Sequence, residues 1–371
     1  MKSAAILLLA LGLSCAGSRG REDAAVFPRA VEPRVFEFPR DHGSHPEYRT
    51  EWWYLTGALE TEGGEVFGFQ ATWFRRALKP EAPARASTLA ARDLILFHGA
   101  LADVGRQAFA HDHAIARAAS TWAGAAEGDL KVWLFENRLE RRTDGSWALR
   151  FEVQGRRVEL TLMPQRAPLL HGAAPGLSLK GPEPGQASYY YSQTRLVCRG
   201  ALAREPGAEP LAVRGQAWFD QEFGSNQLAA DQIGWDWFSA ALDDGTDLML
   251  YLLRHKDGTV EPLSGGTLRF NDGRRVHLKR GDVKVEVLAR WTSPHTQAEY
   301  PAKWKLAIPA EKIELEVAPL VPDQELRTPG ASGVNYWEGL CRFDGKVGPR
   351  PAKGRGYVEL VGYAGAFLGG L

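Results

Sequence analysis

The chain has 371 residues, with 45 Lys and Arg against 45 Asp and Glu, so its formal net charge is zero. Hydrophobic residues make up 44% and charged residues 24%, a globular composition in which either half is long enough to bury a core. A neutral chain has no field to gather polyanions, which excludes a general nucleic-acid binder. The count that departs from the ordinary is 12 Trp.

The N-terminus has the pattern of an export signal. One cation, Lys2, precedes the apolar run Ala4–Leu13, and Ser14, Cys15 and Ala16 are small. An apolar run of about ten residues suits a signal segment and is too short for a membrane span, which needs about 20. Cys15 is the expected lipidation site, with plain cleavage after Ala16 as the alternative. Either outcome exports the protein to the bacterial periplasm or to the envelope surface, with membrane contact only through the lipid. Residues 1–20 are taken as the signal and the polar, Pro-containing 21–39 as a tether.

Beyond the tether the texture is β. Runs rich in aromatic and branched residues recur at Glu51–Leu59, Val66–Phe74, Leu94–Val104, Trp147–Val153, Tyr189–Leu202, Leu211–Phe219, Ile233–Leu242, Asp247–Arg254, Ala302–Ile308, Asn335–Phe343 and Gly356–Gly362. Asp-Gly pairs at 144–145, 244–245, 257–258, 272–273 and 344–345 predict tight hairpin turns. Helical spacing is weak and confined to Ala82–Arg92 and Ser225–Gln232. The stretch Pro164–Ala187 holds Pro164, Pro168, Pro175, Pro182 and Pro184 without strand alternation. It is the expected boundary between two antiparallel β-barrel or sandwich domains in tandem, 40–186 and 187–371.

Cys198 and Cys341 read as two separate buried thiols, the alternative being a disulfide joining the halves. No Cys-x-x-Cys or His-x-x-x-His spacing occurs, so neither a metal site nor a cofactor is expected, and His111-Asp112-His113 reads as solvated surface. A Gly-x-Ser-x-Gly elbow is absent and His98 sits within a strand pattern as a core histidine, so a serine hydrolase is not expected.

Four clusters mix aromatics with carboxylates: Glu51-Trp52-Trp53-Tyr54; Ser188-Tyr189-Tyr190-Tyr191-Ser192 with Arg195; Trp218-Phe219-Asp220-Gln221-Glu222-Phe223-Gly224 with Trp235 and Trp237; and Tyr336-Trp337-Glu338-Gly339 with Tyr357 and Glu359. Residues two apart on a strand share a face, so Trp218, Asp220 and Glu222 point one way, and Trp235 and Trp237 share a face opposite Asp236. An inward carboxylate beside indoles is costly unless it is paired or protonated, which makes it a candidate for chemistry or ligand contact. The bland alternative is a salt bridge to an inward cation such as Arg195.

These clusters, with Gly68-Phe69-Gln70 and Gly356-Tyr357-Val358-Glu359-Leu360, resemble the lipocalin-like family that includes carotenoid 1,2-hydratases and the AttH-like proteins of bacterial exporter operons. The resemblance spans roughly 40–363 and implies two calycin-like β domains with a ligand pocket between or within them. It places Glu51, Trp52, Trp53, Tyr54, Gln70, Tyr190, Tyr191, Arg195, Trp218, Trp235, Trp237, Tyr336, Glu338, Tyr357 and Glu359 around that pocket. In the hydratase branch water adds to an isoprenoid double bond, a reaction that needs an acid able to protonate an alkene and walls that tolerate a carbocation. Asp220 matches the family's acidic position, and Glu222 stands two residues on, where the hydratase pattern has Asn. The export signal places the chain nearer the AttH-like branch. The expectation is an exported protein that binds an apolar or amphipathic small-molecule ligand, with ABC exporter components as partners. The alternative is a lyase, hydratase or cyclase acting on an isoprenoid-like substrate with Asp220 as general acid and Glu222 as its paired carboxylate.

Overall fold

In a computed structural model of the protein the described residues are 26–81, 91–118, 121–226, 228–329 and 333–365. The expected signal segment, with Cys15, and most of Ala82–Arg92 lie outside them. The chain is nearly all β. Its helical turns among the described residues are short 3-10 pieces at Arg40–His42, Arg280–Asp282 and Pro309–Glu311, and none forms at Ser225–Gln232.

The first large sheet contains β1 (Thr50–Thr61), β2 (Val66–Ala77), β3 (Asp93–Asp103), β4 (Ala108–Arg117), β5 (Ala123–Ala125), β6 (Lys131–Leu134), β7 (Asn137–Arg141), β8 (Trp147–Val153), β9 (Arg156–Pro164), β10 (Leu169–Leu170), β11 (Leu177–Leu179), β12 (Ala187–Leu202) and β13 (Leu211–Gly224). Its order is β4-β3-β2-β1-β13-β12-β9-β8-β7-β6-β5, with β10 and β11 added to β12. The second contains β14 (Gln232–Leu242), β15 (Asp247–His255), β16 (Gly265–Arg269), β17 (Arg275–Lys279), β18 (Lys284–Thr292), β19 (Glu299–Ile308), β20 (Ile313–Pro319), β21 (Glu325–Leu326), β22 (Tyr336–Val347) and β23 (Arg350–Val361). Its order is β17-β16-β15-β14-β23-β22-β20-β19-β18, with β21 on β22. All the pairings are antiparallel, and both sheets curl toward closure, as the tandem lipocalin-like expectation requires.

Three expectations are corrected. The sheets divide between Gly224 and Gln232, not at Pro164–Ala187, because β12 and β13 pair with β9 and β1 in the first sheet. The Pro-rich stretch is instead a crossing segment whose short strands β10 and β11 lie against β12. The described part of the expected tether 21–39, residues 26–39, is not free of the core. Ala30 is buried beside Tyr48 and Tyr189, and Phe36 and Phe38 set their rings 5.6 and 4.9 Å from Tyr191. The Asp344-Gly345 turn does not form. Gly345 lies inside β22, where a Cβ would sit 2.0 Å from the Glu314 carbonyl oxygen of β20, so the glycine serves close strand approach. The other four Asp-Gly pairs do turn, each with its glycine at positive φ between 84° and 91°.

Each sheet has its own core on its inner face. The first gathers Trp53, Trp73, Phe97, Trp147, Phe151 and Phe219, the second Phe238, Tyr300, Trp304, Trp337 and Phe343. Strand alternation then sends the intervening residues of the central strands to the outer faces, where the two sheets pack together. Tyr54, Tyr190, Trp218, Trp237, Met249, Tyr251, Leu340 and Tyr357 form this seam. Cys198 belongs to the first core and Cys341 to the second, and both are free buried thiols, as the alternation suggested.

Candidate functional site

The register of the central strands builds the site. Trp52 of β1 and Tyr190 of β12 both stand opposite Glu222 of β13, and Tyr54 and Ser192 both stand opposite Asp220. From the second sheet Trp237 of β14 stands opposite Glu359 of β23. Between these rows the seam encloses a cavity of about 290 Å³. Trp52, Phe74, Trp235, Trp237 and Leu253 form its apolar walls, with Asp220, Glu222 and Glu359 among them. The pocket therefore lies between the sheets and not inside either barrel. Arg49, Arg76 and Ser225 also line it, and of these Arg49 is exposed.

Asp220 is only 3% exposed and its carboxyl is saturated with donors. Trp218 Nε1 donates to Oδ1 at 2.7 Å, Ser192 Oγ donates to the same oxygen, and Tyr190 Oη donates to Oδ2 at 2.6 Å. Burial pushes its pKa up from 3.8 to about 7, against the three hydrogen bonds and with help from the Glu222 charge. At neutral pH the group is thus poised between acid and carboxylate. Because Oδ1 already accepts two hydrogen bonds, the proton sits on Oδ2, facing Tyr190. Tyr190 Oη also accepts from Trp237 Nε1 at 2.9 Å. When Asp220 donates to that oxygen as well, the phenolic proton must turn toward the cavity.

A chain of buried groups stands behind Asp220. His171 Nε2 lies 2.6 Å from Ser192 Oγ, and its Nδ1 lies 3.0 Å from Thr267 Oγ1. Burial and the charge of Arg275 push the His171 imidazole far down, so it is neutral. Since Ser192 donates to Asp220, the hydrogen-bond pattern assigns the ring proton to Nε2.

Glu222 is held differently from Asp220. Lys180 Nζ lies 3.1 Å from its Oε1, which also accepts from Ser188 Oγ. The same ammonium lies 3.9 Å from the Tyr251 ring centroid. Glu359 accepts from Trp235 Nε1 at 2.7 Å, and burial raises its pKa from 4.5 to about 7 despite that bond, with Asp220 and Glu222 adding to the rise. Behind Tyr54 runs a second buried network. Tyr54 Oη donates to Glu338 Oε1 at 2.6 Å, and Gln70 Nε2 donates to Tyr336 Oη at 3.3 Å. Burial drives Glu338 far above its usual range, so its carboxyl is neutral.

The structure brings Trp52, Tyr54, Tyr190, Asp220, Glu222, Trp235, Trp237 and Glu359 to one cavity. Trp218 touches it through Asp220 while lining a second opening between the sheets, together with Tyr357. Gln70, Tyr336 and Glu338 stand behind Tyr54. Four expected pocket residues lie elsewhere. Trp53 and Tyr191 have the opposite strand parity and enter the first core, where Tyr191 Oη donates to Gln221 at 2.6 Å. Glu51 shares that parity and pairs with His45 at 2.7 Å and Arg75 at 3.2 Å. Arg195 binds Asp247 at 2.7 Å, beside Arg166 and Arg269, within the register shift between Gln193 and Leu196. Lys180, Ser192 and His171 were not foreseen as site residues. Only Ser192 carried a signal, being two residues from Tyr190 on the same face. Among the described residues no set of three or more His, Cys, Asp or Glu side chains is placed to hold a metal ion.

A paired-sheet, lipocalin-like body with a buried carboxyl facing an aromatic seam defines the class of protein. Residues 29–363 match the AttH-like family, and the chain belongs to it. A solved AttH-type protein from Nitrosomonas europaea is 36% identical, with 91% of this chain and 99% of that chain covered and a TM-score of 0.80. Kievitone hydratase from Nectria haematococca shares the fold at 16% identity and a TM-score of 0.69, over 91% of this chain and 98% of that chain. No curated protein matches the sequence.

Proposed function

We propose that this protein takes an apolar, isoprenoid-like ligand into the seam cavity and adds water across a carbon–carbon double bond, with Asp220 as the acid. The observation that carries this is Asp220 itself, a carboxyl held near pKa 7 by burial against an aromatic wall. Its proton passes from Oδ2 to Tyr190 Oη as the phenolic proton passes to the alkene. The tertiary cation that forms faces the indoles of Trp52, Trp235 and Trp237, whose π-faces attract it without reacting as a base would. Water attacks the cation, and its surplus proton goes to Glu359, which is partly ionised at neutral pH, and thence to solvent. One alkene and one water give one alcohol. The kievitone hydratase likeness lends support, since that protein's name describes the same class of addition on the same fold.

The test is incubation with a panel of prenyl alcohols and prenylated phenols in ¹⁸O-labelled water, followed by mass spectrometry. The expected product carries one added water bearing the label, and D220N makes none. Absence of label from every product refutes the hydration.

We further propose that the protein works outside the cytoplasm, anchored by a lipid on Cys15 and serving beside an ABC exporter. The apolar run Ala4–Leu13 followed by Ser14-Cys15 supports the export and the anchor. Labelled palmitate should enter the wild-type chain and not C15A, and equal labelling of the two would refute the anchor.

A further inference from the structure

The outer faces of the two sheets meet at Trp218, Leu340 and Tyr357 and part again beyond them. The strand register gives the reason. On β13 the outward positions running away from Asp220 are Trp218, Gln216 and Arg214, and β1 sets Thr56, Ala58 and Glu60 opposite them. On the facing sheet Ser239 and Ala241 of β14 stand opposite Tyr357 and Arg355 of β23. Side chains as small as Thr56, Ala58, Ser239 and Ala241 do not fill a gap that Trp218 and Tyr357 hold open, and an opening of about 520 Å³ remains. No residue lines both this opening and the seam cavity.

Its two ends each lack a partner. At the inner end the Thr56 side chain is 1% exposed, and its hydroxyl has no hydrogen-bond partner among the described residues. A hydroxyl buried in that state is costly until something bonds to it. At the rim, past the bulge in β12, Arg199 stands directly opposite Arg214, and both are exposed. Like charges so placed repel. Glu60, on the other side of Arg214, is taken up by Arg355 at 3.3 Å, and Arg195 is tied to Asp247. Arg199, Arg214 and Arg355 against Glu60 and Asp243 leave one positive charge in surplus at the rim. One carboxylate cancels that surplus, whereas a phosphate dianion overshoots it.

From these features we infer that the opening is a second binding site, separate from the seam cavity, for a slim hydroxy-acid. The carboxylate lies between Arg199 and Arg214, where guanidinium forks bind it with charge-assisted hydrogen bonds. The apolar body runs along Ala58 and Ala241, and the far hydroxyl bonds to Thr56 Oγ1. Arg214 and Trp218 are four residues apart on β13, about 13 Å at about 3.3 Å per residue, and that span sets the length of the ligand.

ω-Hydroxydecanoate, decanoate and decanediol share one chain length and isolate the two ends, and calorimetric titration at neutral pH measures each. Wild-type protein should bind ω-hydroxydecanoate about tenfold more tightly than decanediol and about fivefold more tightly than decanoate. R199Q/R214Q should abolish the preference over decanediol and keep the preference over decanoate, and T56V should do the reverse. Arg199 and Arg214 are exposed, and T56V removes a buried hydroxyl that has no partner, so both variants fold. Thermal unfolding without ligand should place T56V at or above the wild type, which a merely structural hydroxyl would not allow. A wild type that binds the three probes equally, or binds none, overturns the inference. So does either variant leaving its own preference unmoved. Neither failure touches the proposed hydration, because Asp220 lines the other cavity.

Discussion

Replacing Asp220 by Asn tests the central electrostatic claim without any knowledge of substrate. The folded chain holds this carboxyl at about 7 against an ordinary 3.8, so folding makes its ionisation harder by about three pH units. A raised folded pKa means a contribution that is fully present below the unfolded pKa and is lost as pH climbs through the folded one. Three units at about 1.4 kcal/mol each amount to about 4 kcal/mol lost by the wild type between pH about 4 and pH about 7. Asn cannot ionise, so D220N escapes that loss. It still offers an amide oxygen to Trp218 and Ser192 but turns NH₂ toward Tyr190, at a cost that does not vary with pH. The gap between variant and wild type should therefore widen in favour of D220N by about 3 kcal/mol from pH about 5 to pH about 8. Urea unfolding of both proteins at the two pH values, followed by circular dichroism and tryptophan emission, measures it. A gap that moves by less than about 1 kcal/mol would show that Asp220 does not titrate in this window, and the acid role would fall with it.

Turnover of any hydrated substrate should decline above pH about 7, as Asp220 loses the proton it must deliver, with kcat/KM against pH as the readout. Y190F should cut that turnover by about 100-fold while costing about 1–3 kcal/mol of stability, because Trp237 Nε1 loses its acceptor. R75M should destabilise the first sheet by about 3–5 kcal/mol, leaving buried Glu51 and the His45 and Tyr48 carbonyls short of their partner, and thermal unfolding checks this. Iodoacetamide should modify Cys198 and Cys341 only after unfolding, since both thiols are buried in separate cores and burial pushes both pKa values up.

Much of this site could be read from alternation alone. The shared face of Trp218, Asp220 and Glu222, and that of Trp235 with Trp237 opposite Asp236, appear in the structure as the period of two requires. What alternation could not say is which face meets a barrel core and which meets the other sheet. In a half-exposed sheet polar residues mark the outer face. Here both faces of β1, β12 and β13 are buried, so Trp53 and Tyr191 carried the same aromatic signal as Trp52 and Tyr190. The domain boundary was misplaced for a related reason. Proline and glycine mark where strands stop, but only pairing decides which sheet the next strand joins, and β12 joins β9 and β13. That same proline-rich crossing carries Lys180 and His171, which no periodicity could place against Glu222 and Ser192.

The two-faced central strands also bear on how such a protein diversifies. Along β1 and β13 odd-numbered and even-numbered positions serve separate ends: Trp53, Leu55 and Phe219 hold a core, while Trp52, Tyr54 and Asp220 face the seam cavity. A substitution at an even position need not disturb the packing behind it. Mutation can thus explore new seam chemistry on an unchanged scaffold, because the odd positions alone hold the core.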